Sequence, residues 1–153
     1  MFLARSPGTG PEGSAEVPVH HAVLDTNVLV SGILFGGKPR EVLRLAIAGV
    51  IAAYLSPSML RELREVLVRP KFKLPSEVAF AIVEQLQLNL KMVYPREAIP
   101  VIEADPDDDA VIACAVAAQA DFIITGDPHL LDLGTYQQIE ILSPAAYLVR
   151  FAP

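Results

Sequence analysis

The stretch Ala22–Val30, AVLDTNVLV, constrains the fold more than any other part of the chain. An apolar run short enough to be a strand ends on Asp25, passes through the polar pair Thr26-Asn27, and continues at once as a second apolar run. Strand, carboxylate, helix is how a parallel α/β sheet presents a charge at the carboxyl end of a central strand. Burying Asp25 within the run would cost several kcal/mol, so it belongs at the lip, paired, or on a metal. It can equally cap the helix expected near Val28, because Asp is a preferred N-cap. On this stretch alone both readings stand.

With 153 residues, 52% of them hydrophobic, the chain is expected to form one domain with a dense core. Residues 1–18 are rich in Gly, Pro and Ser without periodicity and read as a flexible tail, leaving residues 19–153 as the domain. The longest apolar run, Ala110–Ala118, is far short of the ~18 residues that span a bilayer, and no apolar leader is visible. The single cysteine, Cys114, lies in that run and reads as core packing in a reducing cytoplasm. A net charge of −6 argues against a general polyanion binder. The charge is unevenly spread: residues 1–76 hold nine Lys/Arg against six Asp/Glu, residues 77–153 three against twelve. A fold joining the two halves would set a basic rim beside an acidic hole.

Periodicity predicts strands over Val19–Leu24, Val50–Leu55, Lys91–Tyr94, Phe122–Thr125 and Ile139–Leu142. Helices are predicted over Val28–Leu34, from Pro39 to Gly49, from Ser56-Pro57 to about Arg69, from a Ser76 cap to Leu90, over Ala110–Ala120, and after Ser143-Pro144. In the third of these, Met59, Leu60, Leu63, Val66 and Leu67 form one apolar arc. Glu62 falls about 40° beyond its edge, able to lean over the core rim, whereas Glu65 points further into solvent. Arg69, Lys71 and Lys73 then form a basic connection. This alternation predicts a parallel sheet with helices on both faces and right-handed crossovers.

The densest charge is Glu103-Ala104-Asp105-Pro106-Asp107-Asp108-Asp109, running into the apolar helix. The helix N-terminus compensates one carboxylate by ~0.3–1 kcal/mol and leaves the others without a structural reason. A hard cation would supply one. Asp127 stands at the end of the fourth strand as Asp25 does at the end of the first. His20 and His21 adjoin the tail and His129 has no partner at ligand spacing, so no zinc site is expected. A glycine-rich phosphate loop is absent from the sequence.

Four motifs in order, LDTNVLVSGILFGG, LSPSMLRELREVL, DPDDDAVIACA and ITGDPHLLDL, resemble the PIN domain (PilT N-terminus) ribonucleases, in particular VapC-like toxins of toxin–antitoxin pairs. The resemblance spans roughly residues 20–148. It implies a three-layer α/β/α fold with a five-stranded parallel sheet in the order 3-2-1-4-5, and an acidic pocket for Mg²⁺ or Mn²⁺. The family's acids match Asp25, Glu62, Asp109 and Asp127. Relatives often read DPDDN where this chain has DPDDD, so the third metal-facing residue is either Asp108 or Asp109.

In that strand order, Asp25 and Asp127 flank the point where the sheet's connections reverse, the usual ligand crevice of such folds. Oxygen ligands without His or Cys favour Mg²⁺ or Mn²⁺. Asp25, Asp109 and Asp127 are the expected ligands, Glu62 serves a second ion or the water, and Thr26, Asn27 and Thr125 orient the carboxylates. The implied activity is endoribonucleolytic hydrolysis by a metal-activated water, leaving a 5′-phosphate and a 3′-hydroxyl. An RNA substrate, a small antitoxin partner, a homodimer and a cytoplasmic location follow from the same resemblance. Two alternatives remain: a catalytically silent PIN-fold interaction module, and a haloacid-dehalogenase-like phosphatase, which would want a second Asp where Asn27 stands and a placed Lys in the second half of the chain, where only Lys91 is on offer. The RNA target, the number of ions and the tail's role are not written in these motifs.

Overall fold

A strand that is apolar at consecutive positions needs cover on both faces, and β1 (His20–Leu24) finds it at the centre of the sheet. Its Ala22, Val23 and Leu24 are fully buried. The computed structural model describes residues 19–96 and 106–151, the side chains of residues 106 and 107 excepted. The expected tail and the acids Glu103 and Asp105 therefore lie outside the described residues.

β1 pairs in parallel with β2 (Ile51–Leu55) on one side and β4 (Phe122–Ile124) on the other. β3 (Lys91–Met92) extends the sheet beyond β2 in parallel. Two further strands follow in the chain, β5 (Thr135–Tyr136) and β6 (Ile139–Leu142), and β6 pairs in parallel with β4. The five parallel strands thus stand in the expected order, in a three-layer α/β/α fold. The correction is β5, which pairs antiparallel with the edge of β6 and makes the sheet six-stranded, in the order β3-β2-β1-β4-β6-β5. Two residues are too few to show an alternation, so this strand left no periodic signal.

The helices are α1 (Thr26–Leu34), α2 (Gly37–Ile47), α3 (Pro57–Leu67), α4 (Ser76–Asn89), α5 (Pro106–Ala118), α6 (Pro128–Leu133) and α7 (Pro144–Phe151), with a short 3₁₀ turn at Pro70–Phe72. α1 starts two residues before the expected Val28 because Asp25 itself is the N-cap. Ser76 is the first residue of α4 and not its cap; Pro75 holds that position without a side-chain bond. The expected third strand ends early, and Tyr94 beyond it is 71% exposed. α6 was not expected at all.

α1 and α2 are held in close contact. A Cβ at Gly32 would come within 3.1 Å of the Pro39 carbonyl oxygen, so only glycine fits comfortably there. Arg40 donates from Nε to the Gly32 carbonyl at 2.8 Å and from Nη2 to that of Ile33 at 3.1 Å, satisfying carbonyls at the end of α1.

α5 lies across β1, β2 and β4. Its small residues permit close approach, and Val111, Ile112, Cys114 and Ala115 are buried against the sheet. Burial pushes the Cys114 thiol up to about 12, which leaves it an inert packing group as expected. The two histidines of β1 are structural. His20 Nδ1 lies 3.0 Å from the Tyr147 hydroxyl, and His21 Nδ1 lies 2.7 Å from that of Tyr54. Both sit at the opposite end of β1 from Asp25. Among the described residues, no helix is long and apolar enough to cross a membrane.

Candidate functional site

The chain turns from β1 to β2 on one side and meets β4 on the other, so the carboxyl ends of β1 and β4 form the crevice expected of a switch point. Asp25 emerges there. Its backbone N–H still donates to Ile124 at 3.0 Å, which keeps the two strand ends together. Its side chain is 5% exposed and accepts three hydrogen bonds. The Thr26 N–H donates to Oδ1 at 2.7 Å; the Thr125 hydroxyl and the Asn27 amide donate to Oδ2 at 2.7 and 3.0 Å. Capping and site-building are therefore one arrangement here, not rival readings of Asp25.

Asn27 and Thr125 tie that carboxylate to the next acid. Asn27 Oδ1 accepts from the Gly126 N–H at 3.0 Å, and Thr125 Oγ1 accepts from the Asp127 N–H at 3.0 Å. Thr26 contributes its backbone; its hydroxyl is buried with no hydrogen-bond partner among the described residues. Asp127 then caps α6, accepting from the His129 N–H at 2.9 Å, with Pro128 in the first turn.

The capping turn folds His129 back over Asp127, its Nδ1 3.7 Å from Oδ1. Ligand atoms of Asp108, Asp127 and His129 all lie within 4.8 Å of one another. That corrects the expectation that His129 lacks a ligand partner: its partners are adjacent in space and not at a recognisable sequence spacing. Asp25, Glu62 and Asp109 lie outside this group. Asp108 is 3% exposed, Asp109 half-buried, and Glu62 half-buried on the rim of α3 beside an exposed Glu65. The reason is the register of α5, where Asp108, Ile112 and Ala115 recur at i, i+4 and i+7 on the face turned to the sheet.

Burial pushes the Asp25 carboxyl up to about 6; its three hydrogen bonds oppose the rise, and the Asp127 charge adds to it. Asp127 moves the other way. A hydrogen bond from the Asp108 carboxyl holds it below the usual range, against some desolvation, with help from the N–H and imidazole of His129.

The donor set fits a divalent cation. It offers two carboxylates and one imidazole within ligand reach, with the buried, raised-pKa Asp25 one threonine hydroxyl away. Carboxylate oxygens suit Mg²⁺ or Mn²⁺, and the imidazole widens the range of divalent metals that fit. The Asp-Pro-His sequence after a strand, read as N-cap, N1 and N2, was the available signal for His129. No curated protein matches the chain. The profile of the PIN domain family matches residues 21–129, which takes in β1 from His21 onward, Asp25, Glu62, the DPDDD stretch, Asp127 and His129. That match covers well over half of the chain and agrees with the strand order around the acidic crevice: the chain belongs to the PIN domain family, whose members are usually nucleases.

Proposed function

We propose that the protein is a Mg²⁺- or Mn²⁺-dependent endoribonuclease, acting as the toxin of a toxin–antitoxin pair. The observation that carries the reading is the convergence of Asp108, Asp127 and His129 beside Asp25 at the switch point of a PIN fold. Asp25, Asp108 and Asp127 would hold the ion, His129 would add a nitrogen donor, and Glu62 would position the water from the rim of α3. Asp109 is the alternative to Asp108. When bound, the ion supplies an acidified water and neutralises charge on the phosphodiester. Thr125 and Asn27 fix the Asp25 carboxylate through hydrogen bonds that also set the Gly126-Asp127 backbone. In-line attack by water on phosphorus breaks the bond to the 3′-oxygen and leaves a 5′-phosphate and a 3′-hydroxyl. The 2′-hydroxyl takes no part as nucleophile.

The test is cleavage of single-stranded RNA by the purified chain. EDTA should abolish it and Mn²⁺ restore it, and one deoxy substitution at the cut should slow it only modestly. Activity after exhaustive chelation, or a 2′,3′-cyclic phosphate product, would sink the mechanism.

We further propose that the chain self-associates and that an antitoxin segment docks on the assembly. Phe35, Phe80, Leu88 and Val149 are large hydrophobics left 59–87% exposed. Light scattering at high micromolar concentration should report a dimer; a strict monomer would count against it.

A further inference from the structure

An acidic centre repels the phosphate backbone it must cut, so cationic groups have to carry the strand up to it. Such groups surround a cavity of about 300 Å³ lined by Ser56, Arg61, Tyr94, Arg96, Ala110 and Ala113 among others. Ser56 caps α3 directly after β2, and Tyr94 to Arg96 follow β3. Both lie at the carboxyl edge of the sheet, where β1 delivers Asp25. Neighbouring strands are about 4.8 Å apart, so the ends of β2 and β3 fall roughly one and two strand spacings from that of β1. Ala113 stands one helical turn from Asp109 on α5, which ties the other wall to the acidic stretch.

Arg61 and Arg96 are exposed and form no ion pair among the described residues. Tyr94, 71% exposed, lines the same cavity. An aromatic side chain and two arginines lining one cavity match the two parts of a single-stranded nucleotide: a base that stacks and phosphates that pair. From the cavity, Arg64, Arg69, Lys71 and Lys73 continue as exposed cations along α3 and the 3₁₀ turn. This is where the basic half of the chain meets the acidic one.

We propose that this cavity is a nucleotide subsite for single-stranded RNA flanking the cleaved phosphate, with Tyr94 stacking a base and Arg61 and Arg96 holding phosphates. The proposal rests on the ribonuclease reading and adds where the strand lies. The full chain is titrated into a short fluorescein-labelled single-stranded RNA in Ca²⁺, with anisotropy as the readout and RNA integrity followed on a gel. Tyr94→Ala should weaken binding at least about fivefold, while Tyr94→Phe stays within about twofold. Arg61→Gln and Arg96→Gln should each flatten the slope of log K against log salt by about 0.7, the signature of one lost phosphate contact on a single strand. Melting temperatures matching the wild type exclude general damage. Wild-type affinity and salt slope in the variants, or a Phe variant as weak as the Ala one, overturns the subsite and leaves the nuclease reading intact. A wild-type protein that neither binds nor cuts RNA overturns both.

Discussion

Asp108→Asn is expected to lower Mn²⁺-dependent RNA cleavage by more than about a hundredfold, while Asp109→Asn lowers it by less than about threefold. The two carboxylates are neighbours in sequence with very different surroundings. Asp108 is on the buried side of α5, with a ligand atom within 4.8 Å of those of Asp127 and His129. Asp109 is turned by about 100° of helix and is half-buried. Asn is the informative replacement at position 108. Its amide keeps the shape of the carboxylate and can donate to Asp127, so the local structure persists while an anionic ligand is lost. The measurement is kcat/KM for each purified variant at saturating Mn²⁺, with circular dichroism as the folding control. If Asp109→Asn is the crippled protein, the ligand assignment within the DPDDD stretch reverses.

Much of the architecture could be read from the sequence because the strong signals are local. A run apolar at every position, such as Ala22–Leu24, fits only a strand covered on both faces. Ser56-Pro57 followed by the arc of Met59, Leu60, Leu63, Val66 and Leu67 gave a cap, a first turn and a buried face; four of the five are buried and Val66 is half-buried. What escaped was short or context-bound. β5 and α6 span two and six residues, and α6 owes its start to the Asp127 cap and Pro128. The Ser76 cap failed because Pro75 already supplies the extended residue before the helix.

The acids at strand ends were legible for the same reason as the strands: Asp25 and Asp127 interrupt apolar runs where burial would be costly. The phase that buries Asp108 more than Asp109 was also present in the sequence, in Ile112 and Ala115 four and seven residues beyond Asp108. It was obscured because α5 is apolar on nearly every side, so no polar face sets the phase. His129 needed the third dimension. Its approach to Asp127 depends on a capping turn, and its approach to Asp108 depends on α5 crossing β1 and β4, which no spacing rule encodes. Thr125 and Asn27 were expected to orient carboxylates and do bond Asp25, whereas Thr26 does so through its backbone.

In metal-free buffer, the stability difference between Asp25→Asn and the wild type should shift in favour of the variant by about 2.4 kcal/mol as pH rises from 4 to 7.5. Asp25 has an ordinary value of 3.8 when unfolded and is pushed up to about 6 in the native state, chiefly by burial. Between those values the folded protein holds a proton that the unfolded chain has released. Stability from this group is therefore full below the unfolded value and lost as pH climbs through the folded one. The group is 5% exposed, so solvent screening leaves the effect largely intact. Asparagine abolishes the slope, but it does not come free of penalty. Three donors converge on Asp25, and an amide offers one oxygen where the carboxyl group offers two, so the variant loses hydrogen bonds worth roughly 1–3 kcal/mol. That offset makes the variant the weaker protein in acid and leaves the sign near neutrality to the balance of two similar terms. The pH dependence of the difference escapes that balance, since other titrating groups are shared. Adding Mn²⁺ should stabilise the wild type by mass action and the variant much less. Urea denaturation at stepped pH in EDTA, repeated in Mn²⁺, reads both effects. Parallel curves for the two proteins, with equal responses to Mn²⁺, would mean that Asp25 is a helix cap and nothing more.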